Sequence, residues 1–188
     1  MQSQEIEQYL AELGAALQSQ GIKKPVRMLL IGGAYMMLLA NAPRTTDDID
    51  IFWLEEGEDF RKARLALRDG VQSIASKYAL PANWFNYLTQ MLIYDKIIMP
   101  RGKLWKRYGP LQVYAPPKEY ILALKILAGR DQDIVDCRIL LPQTHIRTRR
   151  QAQRVLDRYI LPDAQKDEAE TIEHSLKVLF ESESEREP

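Results

Sequence analysis

The sequence predicts an α/β protein, a mixed sheet flanked by helices with a helical C-terminal part, on three observations. Short apolar runs bounded by glycine or proline alternate with segments whose apolar residues recur every three or four positions. The strand-like runs all precede Pro116, and the chain after Pro117 carries helical periodicity throughout.

In chain order, Ile6, Leu10, Leu13, Ala16 and Leu17 recur at helical steps and Gly21 follows, so residues 3–19 form an amphipathic helix with a glycine stop. Residues 26–31, apolar after Pro25 and closed by Gly32 and Gly33, read as a buried strand, and residues 34–40 as a short helix ended by Asn41, Ala42 and Pro43. Residues 48–54 alternate polar and apolar before becoming wholly apolar, as in a strand with an exposed start and a buried body. A helix with one wet face spans 60–78 despite Gly70. Two further strands are expected over 91–98 and 111–114, with a basic loop or hairpin between them holding Arg101, Lys103, Lys106 and Arg107. One helix then runs over 118–141, another over 147–161 and a last one over 165–180, before a disordered tail at 181–188. Trp84, after Pro81, is expected to wedge a loop against the core.

Composition narrows the class. The 188-residue chain has 26 Lys and Arg against 26 Asp and Glu, with 46% hydrophobic residues, as one soluble globular domain would. Its single cysteine, Cys137, excludes an internal disulfide, and no apolar run approaches the ~20 residues of a membrane span, so a cytoplasmic location is expected. The zero net charge hides an asymmetry, since residues 163–188 hold nine acids and three bases and leave residues 1–162 with a surplus of six positive charges. His145 and His174 stand alone, which argues against zinc, and Cys137 reads as core.

The most specific feature is the pair Gly32-Gly33 at a strand end, followed by Asp48-Ile49-Asp50 at the start of the next strand. Two aspartates two apart on a strand project to one face, where their charges repel unless a cation sits between them. All-oxygen coordination with open positions favours Mg²⁺ or Mn²⁺, and glycines at a strand-to-helix turn let backbone N–H groups approach a phosphate. The conjunction describes one site for a metal-bound triphosphate.

Residues 32–51, G-G-A-Y-M-M-L-L-A-N-A-P-R-T-T-D-D-I-D-I, resemble the signature of the DNA polymerase β-like nucleotidyltransferases. Arg44-x-Thr46-x-Asp48-Ile49-Asp50 is similar to the R-x-T-x-D-[IL]-D form of the AbiEii-type toxin nucleotidyltransferases, although the serine of the G-S forms is missing. A second block, Lys125-Ile-Leu-Ala-Gly-Arg130-Asp-Gln-Asp133-Ile-Val-Asp136, resembles that family's K-L-x-A-x-R-x-x-D-x-x-D helix. On one continuous helix Asp136 would fall within about 20° of Lys125 and Asp133 within about 80°, a polar stripe beside the apolar face, unless Gly129 breaks the helix.

The resemblance implies a nucleotidyltransferase-like domain over 1–162, with its core at 26–115 and a helical part at 117–162, followed by an acidic helix and tail at 163–188. It implies an NTP substrate, with Asp48 and Asp50 as metal ligands and catalytic residues, and with Gly32, Gly33, Arg44 and Thr46 cradling the triphosphate. Lys125 would stabilise transition-state charge and Asp133 would assist the acceptor, while Asp95 or Asp136 is the candidate third carboxylate. It further implies a tRNA acceptor and a toxin role countered by an antitoxin. Arg147, Arg150, Arg154 and Arg158, spaced three, four and four apart, and the basic 101–107 loop with Trp105 and Tyr108, offer contacts to RNA phosphates and bases. Protein or small-molecule acceptors, or a catalytically silent binding module, stay open as alternatives.

Overall fold

A computed structural model describes residues 1–54 and 58–181, with the side chains of residues 58 and 59 also outside the description. It shows an α/β architecture whose five strands form one mixed sheet flanked by helices, as the sequence predicts. Two compact units divide the chain. One takes Met1–Leu92 and Gly102–Pro116, the other Ile93–Arg101 and Pro117–Pro188.

The first unit holds the sheet. Its elements are α1 (Ser3–Ser19), β1 (Val26–Leu30), α2 (Gly32–Leu39), β2 (Ile49–Trp53), α3 (Glu58–Tyr78), β3 (Phe85–Asn86), β4 (Lys103–Tyr108) and β5 (Leu111–Ala115). The strand order is β3-β2-β1-β5-β4, with β1 antiparallel to β2 and parallel to β5, β2 parallel to β3, and β4 and β5 forming an antiparallel hairpin. Central position explains the apolar run of β1, in which Val26, Met28, Leu29 and Leu30 are buried. Ile6, Leu10, Leu13 and Leu17 of α1 are fully buried, and α1 packs on α3. Trp84 acts as the expected wedge: it is fully buried, donates its indole N–H to Val71 O at 3.1 Å and meets Tyr9 edge-on.

The stretch 91–98 is a correction. Instead of a strand it contributes the end of α4 (Leu88–Ile93), a 3₁₀ turn at Tyr94–Lys96, and a single bridge between Ile97 and Ile160. A short apolar run does not separate helix from strand by period alone. Here the edge of β2 that a further strand would have used is taken by the Gln90 side chain, which accepts from Trp53 N at 2.7 Å and donates to Trp53 O at 3.2 Å. The two-residue β3 carries no sequence signal of its own. The basic 100–110 stretch resolves to β4 of the hairpin, and α2 begins at Gly32 rather than at residue 34.

The second unit is helical: α5 (Lys118–Ala128), α6 (Asp131–Thr144), α7 (Arg149–Tyr159), α8 (Pro162–Asp167) and α9 (Ala169–Phe180). The single helix expected over 118–141 is two helices, because Gly129 adopts φ +62° and caps α5 in the left-handed conformation. The helix expected over 165–180 is likewise divided into α8 and α9. α9 locks onto α5 through Ser175 Oγ, which donates to Ile126 O at 3.1 Å, and α7 meets α5 through an edge-on Tyr120–Tyr159 pair. Ile98 N donates to Tyr159 O at 2.8 Å and Leu161 N to Lys96 O at 2.9 Å, which ties residues 96–98 to this unit. The expected tail lies, from residue 182 on, outside the described residues.

Candidate active site

Six of the residues singled out by the sequence assemble in the first unit. Asp50 is the second residue of β2, and its backbone continues the pairing with β1, since Ile31 N donates to Asp50 O at 3.0 Å. Gly32 follows at φ +65°, so close that a Cβ there would lie 2.3 Å from Asp50 Oδ2. A Cβ on Gly33 would lie 2.4 Å from Thr46 Oγ1 and 3.4 Å from an Arg44 guanidinium nitrogen. The two glycines are therefore required by close approach on both sides of the turn.

α2 starts here without a side-chain cap: its N-cap is Ile31, which offers no acceptor to the first N–H groups. Those donors and the positive end of the helix lie next to the Asp50 carboxylate. Thr46, buried, donates its hydroxyl to Asp48 O at 3.1 Å, while its own N–H is held by Met1 O at 3.2 Å, so the Arg44–Asp48 loop is fixed at its midpoint.

Asp48 and Asp50 are both half-buried, with Ile49 and Ile51 turned into the core between and beyond them. Burial first, and the neighbouring Asp50 charge second, push the Asp48 carboxyl above its ordinary value. Asp50 is oriented by two residues that the sequence reading does not contain. Asn86 Nδ2 donates to Asp50 Oδ1 at 2.8 Å, and Thr89 Oγ1 donates to the same oxygen at 3.1 Å. Asn86 is itself set by Leu88 N, which donates to its Oδ1 at 3.0 Å. These partners reach Asp50 only because β3 pairs with β2 in the register Asp50–Asn86, a pairing invisible to local pattern.

The donor set suits a hard divalent cation. Two carboxylates repel each other at one end of a strand, and hydrogen bonds occupy one oxygen of Asp50 and fix its orientation, in the manner of outer partners around a metal ligand. Magnesium is bound by one or two carboxylates with phosphates and water completing the shell, not by an all-protein cage. Among the described residues no group of three or more His, Cys, Asp or Glu is placed to hold a metal, so the pair alone is the candidate. Gly32→Ala is expected to destabilise the fold by roughly 1–3 kcal/mol through left-handed strain and contact with Asp50. Urea unfolding measures this, and wild-type stability for that variant would contradict the close packing.

The second motif forms a separate cluster inside the second unit. Lys125 Nζ lies 2.7 Å from Asp133 Oδ1 and 2.8 Å from Asp136 Oδ2, and Arg130 Nε lies 2.6 Å from Asp133 Oδ2. Lys125, Asp133 and Asp136 are buried, with Asp136 fully so. The expected stripe on one helix is thus a correction: the break at Gly129 carries α6 back over α5, and the polar residues face each other across the pair instead of a solvent cleft. Two cations balance two anions. Burial alone would raise the Asp133 carboxyl, but the Arg130 hydrogen bond and the Lys125 charge outweigh it and hold it below the usual carboxylate range.

The remaining candidates separate. Asp95 is exposed in the 3₁₀ turn, not central to a strand. Arg147, Arg150, Arg154 and Arg158 are exposed along one side of α7 and its N-terminal lead, opposite buried Ala152 and Leu156, and they join no ion pair among the described residues. On β4, Lys106 is paired with Glu7 at 2.6 Å, and Tyr108 is half-buried with its hydroxyl enclosed, so Tyr108 is not displayed for stacking. Cys137 is fully buried, and its thiol is pushed far up by burial, consistent with core. No described helix is long and apolar enough to cross a membrane. No family model, no curated protein and no solved structure matches this chain.

Proposed function

We propose that this chain is a metal-dependent nucleotidyltransferase, which moves an NMP from an NTP to an acceptor hydroxyl and releases pyrophosphate. The observation that carries the reading is the convergence of Gly32, Gly33, Arg44, Thr46, Asp48 and Asp50 on one turn. Asp48 and Asp50 would hold Mg²⁺ or Mn²⁺, which when bound neutralises phosphate charge and polarises the reacting phosphorus. The uncapped N–H groups of α2 and the Arg44 guanidinium receive the phosphate oxygens. Thr46 holds the loop that carries Asp48, and Asn86 and Thr89 hold Asp50. Lys125 and Asp133 belong to the same proposal through the second motif, where with Asp136 they fix the α5–α6 junction.

RNA, with tRNA as the acceptor, is supported by the exposed arginine row on α7, and a toxin role with an antitoxin partner rests on the motif resemblance alone. One observation favours the alternative of a catalytically silent module: the candidate strand carboxylate, Asp95, is not on a strand. Incubating the chain with each labelled NTP, Mg²⁺ and total RNA, total protein or small acceptors decides between them. Transfer is expected in the RNA fraction. Labelling confined to protein would move the acceptor class, and no labelling of any acceptor would leave the silent module.

A further inference from the structure

An open depression lies in the first unit, at the opposite end of β1 from Gly32. Its volume is about 450 Å³, and Gln18, Lys23, Arg107 and Gln112 line it with Pro25 and Pro110. No carboxylate is among its lining residues. Lys23 and Arg107 are exposed and join no ion pair among the described residues.

The sheet extends this cleft into a row. Arg27 of β1 is in register with Gln112 of β5, which is in register with Arg107 of β4. Residues opposite one another on adjacent strands share a face, with strands about 4.8 Å apart, so two arginines flank one amide on the same side of the sheet. Arg27 is exposed although β1 is the central strand, so the sheet is open to solvent at this end. Gln112 is nearly buried and accepts the Tyr114 hydroxyl on its Oε1 at 3.2 Å, which leaves its amide NH₂ as the donor. Four residue steps separate Arg27 from Ile31, about 13 Å at ~3.3 Å per residue, so this is not the glycine turn.

We propose that this cleft holds backbone phosphates of single-stranded nucleic acid, as the acceptor strand of the transfer proposed above. The role as acceptor rests on that reading; the binding does not. A phosphate oxyanion matches the lining, which offers lysine, arginine and amide donors and no acid. Exposed Lys23 and Arg107, which join no ion pair among the described residues, suit phosphodiester contacts that position a strand without reading its sequence. At about 450 Å³ the cleft is wider than one phosphate needs.

The test uses the full chain, a labelled oligouridylate and no Mg²⁺ or NTP, with fluorescence anisotropy read across a salt series. The double variant K23E/R107E is expected to bind about tenfold or more weakly at low salt. Its log–log salt slope is expected to be shallower by about 1.4, at ~0.7 for each of two phosphates. R61E/K62E, the same charge change on exposed residues of α3, is the control and is expected to bind as wild type does. The variant D50N is also expected to bind normally while losing transfer, so the two proposals fail separately. The inference is overturned if wild type does not bind the strand, if K23E/R107E binds normally, or if the control loses as much. Displacement of the strand by inorganic phosphate at matched ionic strength would also overturn it, because it marks a free-anion site.

Discussion

Asp50→Asn is expected to lower NMP transfer by roughly 10³-fold, corresponding to several kcal/mol of lost charge stabilisation, with little change in shape. Asparagine keeps the side chain's size beside Gly32 and can still accept from Asn86 and Thr89, so a loss of that size reports the missing charge. Thr89→Val leaves the charge and removes one orienting hydrogen bond, for an expected loss of about 10–100-fold in metal affinity. Asp48→Asn carries the opposite sign for stability. Because the folded state raises the Asp48 pKa, ionising this group costs folding free energy that is absent at acid pH and fully present above the raised value. The asparagine variant should therefore melt higher than wild type at neutral pH in the absence of metal, and the two curves should converge as pH falls through the carboxylate range. A variant that is equally active, or that melts lower at neutral pH, would show that the pair is not a strained cation site.

Lys125→Met is the second large effect, and it acts on the fold. It leaves Asp133 and Asp136 buried on α6 without the ammonium that bridges them, while Arg130, which pairs with Asp133, has a side chain 76% exposed. Breaking a buried ionic set by removing one partner costs about 3–5 kcal/mol, a large fraction of the ~5–15 kcal/mol that holds a domain together. Circular dichroism during urea unfolding should show the helical signal lost at much lower denaturant. The triple replacement of Lys125, Asp133 and Asp136 by Met, Leu and Leu should recover much of the loss, because no buried charge then remains and the exposed Arg130 is solvated. The pH sign follows from Asp133: its depressed value stabilises the fold at neutral pH, and the contribution disappears as pH falls through that value, below the ordinary aspartate range. A Lys125→Met chain as stable as wild type would remove the cluster's structural role.

What was legible in the sequence follows from the range of the interactions. The helix at α1 and the strands β1 and β2 were readable because burial there is periodic in the chain, with Ile6, Leu10, Leu13 and Leu17 on one side of α1 and Ile49 and Ile51 inward on β2. The glycine turn and the aspartates were readable as a pair because each meets a local need, and their meeting was an inference that the structure makes explicit at Gly32 and Asp50. Asn86 and Thr89 were not readable. Their role depends on a two-residue strand whose pairing is set by tertiary contact, in a stretch whose apolar run fits helix and strand alike. Lys125, Asp133 and Asp136 were found as a group, but their geometry turned on one residue, Gly129, whose left-handed conformation converts a stripe into an interior ion cluster.

One divalent ion and one triphosphate are expected to share the turn formed by Gly32, Gly33, Asp48 and Asp50. Crystals grown with Mn²⁺ and a non-hydrolysable NTP test it directly through the anomalous signal of the metal. A manganese peak bonded to carboxylate oxygens of both Asp48 and Asp50, at about 2.1 Å, is expected, with the phosphates on the first N–H groups of α2. Nucleotide seated elsewhere, or manganese held by other residues while these two carboxylates stay uncoordinated, would contradict it.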